Sequence, residues 1–123
     1  VLRQTYRDEK RWVDDVDQQF PLEDLARGDV SWFLAMHEER PVGVLRVLYG
    51  PALANYAHYG LDITASHIDV ERFLRENRIA EIGRFAVAPD CRGSIAHSLA
   101  LVRAAIADTV RRGYTHYVTD VFE

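Results

Sequence analysis

Residues 81–94 read Glu81-Ile82-Gly83-Arg84-Phe85-Ala86-Val87-Ala88-Pro89-Asp90-Cys91-Arg92-Gly93-Ser94. The stretch from Ile79 to Ala88 is apolar or small apart from one carboxylate and one guanidinium, so it predicts a buried strand. Pro89 closes a turn, and a small, basic loop then opens into an Ala- and Leu-rich helix from Ile95 to Arg112. The first turn of a helix leaves backbone N–H groups without intrahelical acceptors. A strand–turn–helix therefore makes a cradle for an anionic or carbonyl-bearing ligand.

Working outward, the helix ends at Gly113, the expected C′ residue, with Arg111 and Arg112 at the negative end of its dipole. The apolar spacing puts Leu99, Val102, Ala105, Ile106 and Val110 on one face. Tyr114 to Val121 is a further strand, parallel to the first because a helical crossover joins them. On the N-terminal side, Asp69 predicts an N-cap for a helix through Val70, Phe73 and Leu74. Ser31 to Met36 and Val42 to Tyr49 form a strand hairpin turning at Glu38 to Pro41, and Gly50-Pro51 ends it. Residues 52–69 read either as a third strand or as a ligand-side loop. Residues 3–18 read as a short amphipathic helix or an irregular arm, with one more turn at Pro21 to Ala26. The fold class is α/β (α+β): a single domain over residues 1–123, with a mixed sheet made of an antiparallel hairpin and a parallel strand–helix–strand unit.

Composition limits the function. A 123-residue chain with 48% hydrophobic residues buries a core without disulfides or metals. A net charge of −4 argues against general nucleic-acid binding. Lys10 is the only lysine, so the basic residues are almost all arginine, whose planar fork suits carboxylates and phosphates. A biased base composition of the coding DNA would produce the same excess. Cys91 is the single cysteine, which predicts a reducing compartment and no intrachain disulfide. No apolar run reaches the length of a membrane span and no signal peptide opens the chain, so a cytoplasmic protein is expected.

Two short motifs carry a resemblance. The strand ending Val87-Ala88-Pro89 with Arg92-Gly93 before a long helix resembles the acyl-donor motif of the GNAT acyltransferase superfamily. Glu81-x-x-Arg84-Phe85 is similar to the Glu-x-x-Arg-Phe signature of acyl-homoserine-lactone synthases and related long-chain N-acyl amino acid synthases. Val42-Gly43-Val44-Leu45-Arg46-Val47-Leu48 resembles a strand of the same branch. The likeness spans roughly residues 29–121.

The resemblance implies an N-acyltransferase that moves an acyl group from a thioester to the amine of an amino-acid-like acceptor by direct attack. The co-substrate would be acyl-CoA or acyl-phosphopantetheine on acyl carrier protein, with no metal. Arg92, Gly93, Ser94, Ile95 and Ala96 would hold the donor. Ile95 and His97 stand where the family places glycine or alanine, and a carrier-protein donor, lacking the CoA nucleotide, relaxes that requirement. Acetyl-CoA with a small amine or peptide acceptor is the alternative. A non-catalytic module binding acyl ligands or another chain is an alternative of a different class. The family's fold continues past the Tyr114–Val121 strand with another helix and two strands. The expectation is therefore a fragment, a reduced form, or a chain completed by a partner. An exposed sheet edge there predicts homodimerisation or strand exchange.

Glu81 is expected to act as general base through water, to orient the acceptor, or to pair with Arg84 or Arg46; these roles are compatible. Arg84 and Arg46 would hold a substrate carboxylate or fix Glu81, unless strand alternation points them into water. Phe85, Ala86 and Val87 would line the acyl site, although Phe85, Val87 and Phe33 also suit plain core. Cys91 has no His or Asp placed by spacing to activate it. The histidines do not share a metal-binding spacing. His116, Tyr117 and Asp120 suit either an acceptor face or a surface strand, and Tyr56 and Tyr59 either a pocket or hairpin packing.

Overall fold

The computed structural model describes residues 1–11, 14, 22–52 and 67–119. Readings that fall on 53–66, including Tyr56, His58 and Tyr59, and those on Asp120 and Val121, lie outside the described residues. The chain order is a π-helical segment Arg3–Glu9, a 3-10 turn Leu22–Ala26, β1 (Val30–His37), β2 (Arg40–Tyr49), α1 (Val70–Glu76), β3 (Ile79–Val87), a 3-10 turn Pro89–Cys91, α2 (Ala96–Arg111) and β4 (His116–Val118). The strands lie in the order β1-β2-β3-β4, the first two pairings antiparallel and the last parallel. This is the mixed sheet expected from the sequence.

The hairpin turns on Glu38 and Glu39, with φ of 46° and 64°. Positive φ at both central residues is what a type I′ turn needs, and it matches the twist of the flanking strands. Asp69 caps α1 as expected, its Oδ1 accepting from the Arg72 N–H at 3.0 Å.

Two clusters bury the faces of the sheet. On one, Leu45, Val47, Tyr49, Ala80 and Val87 pack under α2 through Leu101 and Ala105. On the other, Val44 and Ala86 pack under Tyr6 of the N-terminal segment, with Trp32 beside them.

The buried face of α2 differs from the one the apolar spacing suggested. Leu101, Ala105 and Thr109 face the sheet, whereas Leu99, Ile106 and Val110 are 50%, 42% and 62% exposed. Ala105 and Val102 were expected on the core and do pack there. The shift has a steric origin at Gly43, where a Cβ would stand 2.9 Å from Leu101 Cδ1 and 3.2 Å from Ala35 Cβ. Small residues on both sides let the helix settle onto β2, and Leu101 fills the gap. Thr109 can be buried because its hydroxyl donates to the Ala105 carbonyl at 3.0 Å, within its own helix. Gly113, with φ of 78°, ends the helix as expected.

Candidate active site

The site is built on an irregularity in β3. Val44 pairs with Ala86, but Arg46 pairs with Gly83, so β3 spends one more residue than β2 over the same interval. Arg84 takes up the excess with φ of 52°, an uncommon conformation for a residue with a side chain. A β-bulge of this kind bends the strand and re-aims the residues beyond it.

On its other side β3 pairs with β4. Among the described residues the parallel ladder runs from Ile79–His116 to Glu81–Val118. From Ile82 to Val87, β3 has no strand partner on that side among the described residues. Ala88 donates its N–H to Val42 O at 2.8 Å, toward β2. By alternation, the backbone groups of Phe85 and Val87 point away from β2, to the β4 side. Both carbonyls there are engaged by side chains: Phe85 O accepts from the Tyr6 hydroxyl at 3.2 Å, and Val87 O from Arg92 Nε at 2.8 Å. By the same alternation the amide N–H groups of Phe85 and Val87 face the β4 side of β3.

Glu81 stands at the last paired position among the described residues, and its neighbours Ala80 and Ile82 pack under α2, so its side chain is on the opposite face. Arg46 of β2 reaches it diagonally, Nη2 to Oε1 at 3.1 Å, and the two side chains are 8% and 12% exposed. Asp24 of the Leu22–Ala26 turn lies on the other side of Arg46, at 3.8 Å from Nη1. Arg27 then links Asp24 at 3.3 Å with Asp29 at 2.8 Å. The sequence-predicted Glu81 and Arg46 are thus brought together, in the pairing foreseen as one of Glu81's roles. Arg84 is half-buried at the bulge, Phe85 is 41% exposed, and Ala86 and Val87 are buried on opposite faces.

The donor-loop residues form the entry to α2. Ser94 Oγ accepts from the Ala96 N–H at 3.2 Å, and Ile95, 78% exposed, accepts Leu99 N–H on its carbonyl at 2.9 Å. The β-branched side chain of Ile95 therefore points away from the chain without crowding the helix start. Arg92 is tied inward. Besides Val87 O, its guanidinium meets Glu9 Oε1 at 2.7 Å and Thr5 Oγ1 at 3.4 Å. The hydrogen bond from Arg92 draws the Glu9 carboxyl below its ordinary pKa and raises that of Arg92.

Sequence spacing missed Thr5, Tyr6, Glu9 and Asp24 as neighbours of the site. Tyr6 and Phe85 are 79 positions apart, so no local pattern signals their contact. Cys91 packs at the margin of the core under α2, with Arg40 Nη2 at 3.7 Å from its sulfur. His116 stacks edge-on against Phe73 at 5.1 Å, and the Tyr117 hydroxyl bonds Thr109, which makes these two supports of β4. Among the described residues no group of His, Cys, Asp and Glu side chains is placed to hold a metal ion, and no helix is long and apolar enough to cross a membrane.

No protein-family model matches the chain, and no curated protein matches it. Two solved structures do. An acetyltransferase of Trypanosoma brucei superposes with a TM-score of 0.55 at 16% identity, over 82% of this chain and 58% of its own. A ribosomal-protein-alanine N-acetyltransferase of Brucella melitensis gives a TM-score of 0.51 at 14% identity, over 77% and 54%. This chain spans little more than half the length of either. The mixed α+β fold of this chain, with its four-stranded sheet and long helix, is therefore similar to the fold of these two acetyltransferases.

Proposed function

We propose that the chain is an N-acyltransferase that moves an acyl group from a thioester donor to an amine. The observation that carries this is the bulged segment of β3 just beyond Glu81, whose Phe85 and Val87 backbone groups face away from β2 with no strand partner among the described residues. A thioester laid against this segment would present its carbonyl oxygen to the N–H groups of Phe85 and Val87, which stabilise the charge that develops there. The acceptor nitrogen attacks the carbonyl carbon, the C–S bond breaks and the thiolate leaves. The nitrogen gives up its proton through water to Glu81, which Arg46 holds in place. Arg84, at the bulge, holds the acceptor's carboxylate. No covalent enzyme intermediate is needed.

Acyl-CoA is the donor favoured by the two similar structures, both of which bear the name acetyltransferase. The Arg92–Ala96 loop would hold its phosphates. A second reading delivers a longer acyl chain on acyl carrier protein to an amino-acid-like acceptor. It is favoured by the Arg92 guanidinium, whose partners are Glu9, Thr5 and the Val87 carbonyl.

Thiol release from acyl-CoA and from acylated carrier protein, measured with a panel of amino acids and amines, tests both readings. Turnover with CoA thioesters supports the first, and turnover only with carrier-protein thioesters the second. Neither turnover nor thioester binding would leave a non-catalytic module. Glu81→Gln should depress turnover about 100-fold with the fold intact; wild-type rates across pH would make Glu81 structural.

A further inference from the structure

At the end of β3 remote from the donor loop lies a second, open cleft of about 440 Å³, lined by Gly28, Asp29, Tyr49, Arg78, Arg112 and Tyr114. The length of β3, about 30 Å at an ordinary strand rise, separates it from the loop at Arg92. Nothing in the acyl-transfer chemistry uses it.

Its walls are a ladder of rings and guanidiniums. The Tyr49 and Tyr114 rings lie 4.8 Å apart. Arg78 covers the Tyr114 ring at 4.5 Å and Arg112 the Tyr49 ring at 4.6 Å. Each cation rests on a π-face that attracts it, which favours this position before any ligand binds.

The charges lining the cleft are unevenly spent. Asp29 is held by Arg27 through two bonds of 2.9 and 2.8 Å. Arg112 gives its Nε to Asp108 at 2.8 Å. Arg78 has no carboxylate partner among the described residues. Its backbone is anchored, because Arg78 O accepts from the N–H groups of Thr115 and His116 at 2.9 and 3.1 Å. Gly113 makes room for its side chain: a Cβ there would sit 3.2 Å from Arg78 Nη1. A guanidinium seated on a ring, with no acceptor on its N–H edge among the described residues and a second cation lining the same cleft, suits an oxyanion.

We propose that this cleft binds a phosphate group, with Arg78 as the main donor and Arg112 as the second cation. Two guanidiniums, one of them shared with Asp108, favour a dianion over a single carboxylate. The inference is independent of the acyltransferase reading and stands if that reading fails.

The test is titration of the intact chain with sodium phosphate at constant ionic strength, followed by amide and arginine NMR shifts. Saturable shifts centred on Arg78, Gly113 and Tyr114, with a Kd of about 1 mM, are expected. Arg78→Met should weaken binding about tenfold, and Arg78→Lys, which keeps the charge but loses the fork, should fall between. If Arg78→Met does not fold, Arg112→Met supplies the same comparison with a smaller loss. Phosphoserine and adenosine monophosphate, run in parallel, tell whether the phosphate arrives on a side chain or a nucleotide. Shifts spread over unrelated surface arginines, affinity unchanged in both variants, or acetate bound as tightly as phosphate would each overturn the proposal.

Discussion

Arg46 and Glu81 meet across the β2–β3 pair with Nη2 and Oε1 3.1 Å apart, almost fully removed from water. Asp24 approaches the same guanidinium at 3.8 Å, so one cation stands between two carboxylates. Breaking a buried pair costs far more than forming it returns, because the abandoned charge stays desolvated. Arg46→Met should therefore destabilise the fold by about 3 kcal/mol. The double variant with Glu81→Gln should recover part of that loss, and urea unfolding of the four species reads the coupling directly. Additive effects of the two substitutions would mean the pair is not coupled.

Gly43 predicts a second stability effect, through packing alone. Gly43→Ala places a methyl group 2.9 Å from Leu101 Cδ1, at the closest approach of α2 to the sheet. The helix must shift or Leu101 must change rotamer, at a cost of about 1–2 kcal/mol. Gly43→Val should cost more. Thermal unfolding checks this order, and a neutral Gly43→Ala would show that Leu101 re-packs freely.

These two sites also show what the sequence could and could not disclose. The strand–turn–helix at residues 79–112 was legible because its apolar run, Pro89 and Gly113 are local signals. The pairing of Glu81 with Arg46 was foreseeable as one option among several, since both carry charge on central strands. The face of α2 was not. Helical periodicity ranks Leu99, Ile106 and Val110 as core, but Gly43 and Ala105 decide where the helix can approach, and that is a contact between distant segments. The ties of Tyr6 and Glu9 to β3 and Arg92 were hidden for the same reason. The bulge at Arg84 leaves no compositional mark, because the residue there is an arginine rather than a glycine.

Asp108 predicts a dependence on acid. Burial by itself would raise its carboxyl, but hydrogen bonds from Tyr49, Arg111 and Arg112 outweigh this and hold the pKa down to about 2, from an ordinary 3.8. A carboxyl depressed on folding stabilises the protein above its unfolded pKa, and the contribution is lost as pH falls through the folded one. The loss belongs between roughly pH 4 and pH 2 and amounts to about 1 kcal/mol after allowing for solvent screening. Urea midpoints measured at pH 6, 4 and 2.5 should fall less steeply in Asp108→Asn than in the parent chain. Parallel slopes would remove Asp108 as the cause.

The Glu9–Arg92 contact at 2.7 Å predicts how the N-terminal segment bears on donor binding. If Arg92 is to reach a phosphate of the donor, its guanidinium must leave Glu9, and only the released fraction is competent to bind. Glu9→Gln keeps the shape of the side chain and removes its charge, so it weakens the competitor. Donor binding should tighten about threefold in that variant, while the melting temperature stays close to that of the parent because the pair is solvent-exposed. Arg92→Ala should act in the opposite direction and weaken binding. Calorimetric titration with CoA, alongside thermal unfolding, separates the outcomes. Should both variants bind CoA as the parent does while Arg92→Ala melts earlier, Arg92 is a strut between Val87 and the N-terminal segment, and the donor is held elsewhere.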